Sequence, residues 1–187
     1  MKRRLPVCAL ALVSAVSVAA CGGTSVSDGK KAADKARRPA AEAYWKLHAS
    51  LDGAVSRENA TGEFAACGEN HRNSVSYKIT YIFWAASKTQ PQAQLTATVL
   101  RRLSGTGWRL QPDTEHLYKA TRGDVTVRLR EIVISSDTAK PADAIYVQTT
   151  CVDVGKAVEP VSRTLDTYKA GDAGTAPVPT GFPTRKP

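Results

Sequence analysis

The spacing of apolar residues changes in an orderly way along the middle of this chain. Tyr44, Leu47, Leu51 and Val55 recur at steps of three and four, which predicts an amphipathic helix over residues 40–55. Pro39 suits the first turn of that helix, where its missing N–H costs little. The Ala- and Lys-rich stretch 31–38 fits either a backward extension of the helix or a separate lead-in. Further on, Val75, Tyr77, Ile79, Tyr81 and Phe83 alternate with Ser76, Lys78 and Thr80, the period of a half-buried strand over 75–83. Thr89-Gln90-Pro91-Gln92 then matches a capping box with Pro in the first turn. Leu95, Val99, Leu100 and Leu103 form the stripe of the helix it starts, and Gly105 is placed to end it.

A strand cluster follows. Trp108–Leu110 opens it, Leu117–Ala120 continues it, and Arg122-Gly123-Asp124 supplies a turn into Val125, Val127 and Leu129. The alternation changes phase near Glu131, where Ile132 and Ile134 become the apolar set, so a bulge or strand end is expected there. Residues 144–152 read as a last strand. The order α-β-α-β-β-β predicts an α+β fold, an antiparallel sheet of about four strands with two helices packed on one face.

The two ends of the chain differ from this middle. Lys2, Arg3 and Arg4 precede an apolar, acid-free run from Leu5 to Ala20. Sixteen residues at ~1.5 Å each span about 24 Å, less than the ~30 Å hydrocarbon core, so residues 1–20 read as a signal peptide and not a membrane helix. Val18-Ala19-Ala20-Cys21 resembles the lipobox of bacterial lipoproteins, and Gly22-Gly23 fit the start of a mature lipoprotein. That resemblance implies lipidation of Cys21, cleavage just before it, and a lipid-anchored location on the extracytoplasmic face of the cell membrane. More loosely, the GTGW motif after the Leu-rich helix and the TTC strand make the mature chain similar to small lipoproteins of high-GC Gram-positive bacteria. Residues 21–31, rich in Gly and Ser, read as a flexible tether. Residues 169–187 hold four Pro, three Gly, three Thr and three Ala, and are expected to be a disordered tail. One folding unit, 32–168, lies between them.

Composition narrows the class further. With 187 residues, 42% hydrophobic and 23% charged, the chain is neither collagen, nor wholly disordered, nor a polytopic membrane protein. Four cysteines are too few for a disulfide-dense miniprotein. Cys8 falls in the signal segment and Cys21 is the lipid site, which leaves Cys67 and Cys151. In an exported protein that pair reads as one disulfide. A zinc site from Cys67, His71, His116 and Cys151 is the weaker reading, because four separate elements would have to converge. A thiol nucleophile lacks a recognisable sequence context at either cysteine.

The sequence carries none of the common catalytic motifs. There is no Gly-x-Ser-x-Gly, P-loop, dinucleotide fingerprint or His-Glu-x-x-His, and no metal or cofactor is expected. His48, His71 and His116 are scattered, and His48 is expected to be a packing residue. Glu63, Glu69 and Asp113 fall in predicted loops and define no carboxylate pair. Arg122-Gly123-Asp124 is read as a turn and not an adhesion signal, and Asn59-Ala60-Thr61 means little in a bacterial export context.

Charge is the most suggestive feature. The chain carries 26 Lys and Arg against 17 Asp and Glu, a net charge of +9. Cleavage before Cys21 would remove Lys2, Arg3 and Arg4 and leave +6. Arg101, Arg102, Arg109, Arg122, Arg128 and Arg130 cluster in the second half of the unit. Arg128 and Arg130 alternate with Val127 and Leu129, so they share the solvent face of one strand and are the candidate anion contacts. The expected partners are the membrane, through the lipid anchor, and an anionic envelope polymer, lipid headgroups or a protein. Nucleic acid is not expected in an exported chain. These observations favour a non-enzymatic binding or scaffolding domain. The alternative is an envelope hydrolase or transferase assembled from distant residues.

Overall fold

The structure, a computed structural model, describes residues 25–57, 60–69, 72–114, 117–132 and 141–169. The lipobox with Cys21, the signal segment, Asn59, His71, His116, Ile134 and the tail beyond Lys169 lie outside the described residues. In chain order the elements are helix α1 (Val26–Ser50), strands β1 (Ser56–Arg57), β2 (Ala60–Ala66) and β3 (Ser74–Trp84), and helix α2 (Gln92–Ser104). Strands β4 (Gln111–Thr114), β5 (Leu117–Arg122), β6 (Val125–Ile132), β7 (Ala142–Thr149) and β8 (Val152–Asp153) follow. A 3-10 turn (Gly155–Ala157), helix α3 (Val158–Ser162) and strand β9 (Leu165–Tyr168) complete the order.

The alternating segment around Tyr77–Phe83 is the spine. Its inward residues Val75, Tyr77, Ile79, Tyr81 and Phe83 have no exposed surface, because hydrogen-bonded strands on both sides and a helix above remove them from water. Among the described residues the sheet has nine strands, ordered β4-β5-β6-β7-β3-β2-β9 with β1 and β8 also paired to β3. Every pairing is antiparallel. The expected combination of helices with an antiparallel sheet is therefore observed, but the expectation of two helices and about four strands in the order α-β-α-β-β-β is corrected to three helices and nine strands among the described residues.

The additional strands have weak patterns for identifiable reasons. In β2 the buried positions are Ala60, Gly62 and Phe64, a mostly small set that does not read as a hydrophobic stripe. In β9 the inward positions are Asp166 and Tyr168, so a buried acid stands where an apolar residue would mark the strand.

Helix α1 is longer than the 40–55 expectation but shifted: it starts at Val26 and ends at Ser50, so Leu51 is its C-cap and Val55 lies beyond it. Ser25 caps it, its Oγ accepting from the Asp28 backbone N–H at 3.1 Å. Pro39 lies inside the helix and not in its first turn. The segment 26–31, expected to be tether, is thus helical, because Gly29 packs against the segment at 154–157. A Cβ there would sit 2.1 Å from the Val154 carbonyl oxygen. Helix α2 begins without the expected capping box. Pro91 is the N-cap with no side-chain bond, and Gln92 instead turns toward Ala142 and Asp143. Trp108–Leu110 is not a strand but leads into β4, and Trp108 is buried in the core. The expected strand 144–152 is two pieces, β7 and β8, broken at Thr150 and Cys151. The phase change near Glu131 coincides with the end of β6 at Ile132.

Candidate functional site

Register decides which side chains share a surface. Val127 faces Val147 and Leu129 faces Ile145, all fully buried on the core side. The residues between them point the other way, so Arg128 and Arg130 lie on the outer face, as the alternation in β6 implies. Arg130 is exposed and Arg128 half-buried. Lys119 of β5 stands directly opposite Arg128, and Tyr146 of β7 stands opposite it on the other side. Arg128 Nη1 donates to Gln148 Oε1 at 2.9 Å, and Gln148 Nε2 donates to Ser76 Oγ at 3.1 Å. That chain ties the guanidinium to β7 and, through Gln148, to β3. Among the described residues no carboxylate forms an ion pair with Lys119, Arg128 or Arg130. Lys78 on the same face is paired with Glu63 at 2.9 Å. Glu63, expected in a loop, is therefore a strand residue with a structural partner.

A groove of about 370 Å³ opens on the core side, between α1 and the β6–β8 end of the sheet. Ala32, Ala36, Pro39 and Val152 make it apolar, while Lys35 and Asp124 supply opposite charges. Gly123 and Asp124 form the two-residue turn joining β5 to β6, as the turn reading of that tripeptide requires.

Two buried polar clusters were missed by sequence reasoning. In the first, Arg37 of α1 is wholly buried, with Nε 3.3 Å from Asp166 Oδ2 and Nη1 3.4 Å from Asp34 Oδ1. Tyr77 donates to Asp166 at 2.5 Å, and its hydroxyl lies 2.8 Å from that of Tyr168. The guanidinium also covers the Phe64 and Tyr77 rings, at 5.3 and 5.7 Å from their centroids. Burial raises the Asp166 carboxyl, opposed by the Tyr77 hydrogen bond and by Arg37. Burial likewise pushes both tyrosines above their ordinary range. Gly62 makes room for the cluster, since a Cβ there would lie 2.1 Å from the Tyr77 hydroxyl. The cluster ties α1 to the last strand.

The second cluster is a pair of carboxyls under α2. Glu131 and Asp143 face each other across β6 and β7. Thr96 Oγ1 lies 3.1 Å from Glu131 Oε1 and 3.2 Å from Asp143 Oδ2, so a single hydroxyl proton serves two acids. Gln92 donates to Asp143 Oδ1. Burial, with the Glu131 charge adding to it, pushes the Asp143 carboxyl up to about 7 against the hydrogen bonds from Thr96 and Gln92.

The remaining sequence candidates have simple places. Cys67 and Cys151 form a disulfide with Cα atoms 6.0 Å apart. Both sulfurs are thereby consumed, which removes the zinc reading and the thiol nucleophile. His48 is buried with its ring against Tyr44, Trp45 and Tyr81, a packing residue as expected. Among the described residues no group of three or more His, Cys, Asp or Glu is placed to hold a metal, and no helix is long and apolar enough to cross a membrane. The chain matches no protein-family model, no curated protein and no solved structure at a significant level.

Proposed function

We propose that this chain is a lipid-anchored extracytoplasmic protein of the bacterial cell envelope, whose α+β domain works by binding or scaffolding and not by turnover. The observation that carries the reading is Val18-Ala19-Ala20-Cys21 behind a basic, then apolar, leader. The disulfide between the two remaining cysteines suits an oxidising compartment. In this reading both helices cover one face of the sheet. Support comes from register: Tyr81, touched by Tyr44 of α1, pairs with Ile145, and Asp143, bonded by Gln92 and Thr96 of α2, lies two residues away on the same side of β7. The opposite face, with Arg128 and Arg130, is then the contact surface.

A second reading, a hydrolase or transferase, has the Glu131–Asp143 pair in its favour. Asp143 has no exposed surface, so a substrate would meet it only after α2 moved. The anchored reading is tested by fractionating cells fed labelled palmitate. Wild type is expected in the membrane fraction carrying label, and Cys21→Ala in neither. Equal behaviour of the two proteins would remove the reading.

A further inference from the structure

We infer that the outer face of β5, β6 and β7 docks a phosphodiester-linked polyol polymer of the envelope. In this arrangement Lys119, Arg128 and Arg130 take its phosphates, and Tyr146 packs against its polyol backbone. The inference rests on the extracytoplasmic location proposed above and names the partner of that contact surface.

The arrangement of charge is the first support. Lys119 and Arg128 are direct cross-strand neighbours. Like charges in that position destabilise a sheet by a few tenths of a kcal/mol or more. The face carries that repulsion without a carboxylate partner among the described residues, whereas Lys78 and Glu63 two strands away neutralise each other. An anion lying over the pair would relieve it. Arg130 lies two residues along β6, about 6.7 Å from Arg128, while Lys119 lies across from Arg128 on β5, so the three cations form an L-shaped patch over two strands. An extended polyanion can set successive phosphates on Arg130 and on the Lys119–Arg128 pair, which one small ion does not do. Arg128 donates to Gln148, which Ser76 in turn holds, so its guanidinium is oriented before contact. Tyr146 continues the Lys119–Arg128 row and offers a half-exposed ring beside the charges.

The anchor argues against the bilayer itself as the partner. Four peptide units separate Cys21 from Ser25 and reach at most about 14 Å. That is less than the roughly 20 Å thickness of a helix stacked on a sheet. The lipid therefore holds the membrane near the N-terminus of α1, while the cationic face looks away from α1. A polymer extending outward through the envelope can reach it.

The test uses the mature full chain in neutral detergent, with fluorescent poly(glycerol phosphate) followed by anisotropy. Binding is expected, weakening about 20-fold between 50 and 200 mM salt for three neutralised phosphates. The triple variant Lys119→Gln/Arg128→Gln/Arg130→Gln should lose at least tenfold in affinity. Arg101→Gln/Arg102→Gln, which removes two charges from α2, should keep it. If the triple variant does not fold, as circular dichroism would show, Arg130→Gln alone at its exposed position should still lose about threefold. No binding by wild type, equal losses in the triple and α2 variants, or capture by phosphatidylglycerol vesicles without binding to the free polymer would each overturn the inference. A lipidated protein that ignores the polymer sinks the docking surface alone. An unlipidated wild type sinks the anchor and leaves the binding result standing.

Discussion

Replacing Asp143 by Asn should make the protein more stable, by a margin that opens above about pH 4 and is complete above about 7. Asp143 is buried between Glu131, Thr96 and Gln92, and its carboxyl is pushed up from 3.8 to about 7. Below about pH 4 the group is protonated whether the chain is folded or not, and it contributes nothing to the balance. Between about 4 and 7 the unfolded chain has released this proton while the folded chain keeps it, so stability falls as pH rises. Above 7 the proton is lost in both states and the penalty is complete, at most about 4 kcal/mol at ~1.36 kcal/mol per pH decade. An Asn side chain still accepts from Thr96 and Gln92, and its amide can donate to Glu131. The variant should therefore match wild type within about 1 kcal/mol at pH 4. At pH 8 it should exceed wild type by about 2 to 4 kcal/mol. Urea unfolding with the disulfide intact, followed through Trp45, Trp84 and Trp108, reads this difference at each pH. Asp166 is also raised but is present in both proteins and cancels. A difference that stays constant from pH 4 to 8, or one that shrinks as pH rises, would refute the burial of a proton-holding Asp143 carboxyl under α2.

Gly62→Ala should destabilise the fold by more than about 2 kcal/mol, because its Cβ would meet the Tyr77 hydroxyl at 2.1 Å. Adding Tyr77→Phe to that variant should restore part of the loss, as denaturant midpoints would show. Asp166→Asn should cost about 3–5 kcal/mol by removing the buried partner of Arg37, against about 1–3 kcal/mol for Tyr77→Phe alone. Cys67→Ser with Cys151→Ser opens a loop whose ends are 84 residues apart. Thermal or urea unfolding should then show a loss of about 4–5 kcal/mol.

How far the sequence reveals this molecule depends on whether a residue's partners are near in the chain. The strand expected at 75–83 is observed at Ser74–Trp84, because period-2 alternation is a local signal that any half-buried strand carries. The stripe Leu95, Val99, Leu103 likewise marks α2, and all three residues are buried. Arg128 and Arg130 could be assigned to one face from β6 alone. Lys119 could not, since only the β5–β6 register brings it opposite Arg128. The disulfide was legible by elimination of Cys8 and Cys21. Arg37 and Asp166 were not legible, because each is a charged residue in a polar-looking stretch and its burial is explained only by a partner 129 residues away. Gly62 carried no local sign that a tyrosine hydroxyl occupies the space its side chain would fill. The start of α1 was missed because residues 27–38 lack large apolar residues, and small ones at Gly29, Ala33 and Ala36 do the packing.

The central claim is a covalent one and yields to one measurement, the mass of the N-terminal peptide of the protein recovered from cell membranes. The account predicts a peptide that begins at Cys21 and carries a diacylglyceryl group in thioether linkage, shifted by the mass of two fatty acyl chains and their glycerol. A peptide with an unmodified Cys21 thiol, or one that still includes residues before Cys21, would contradict it.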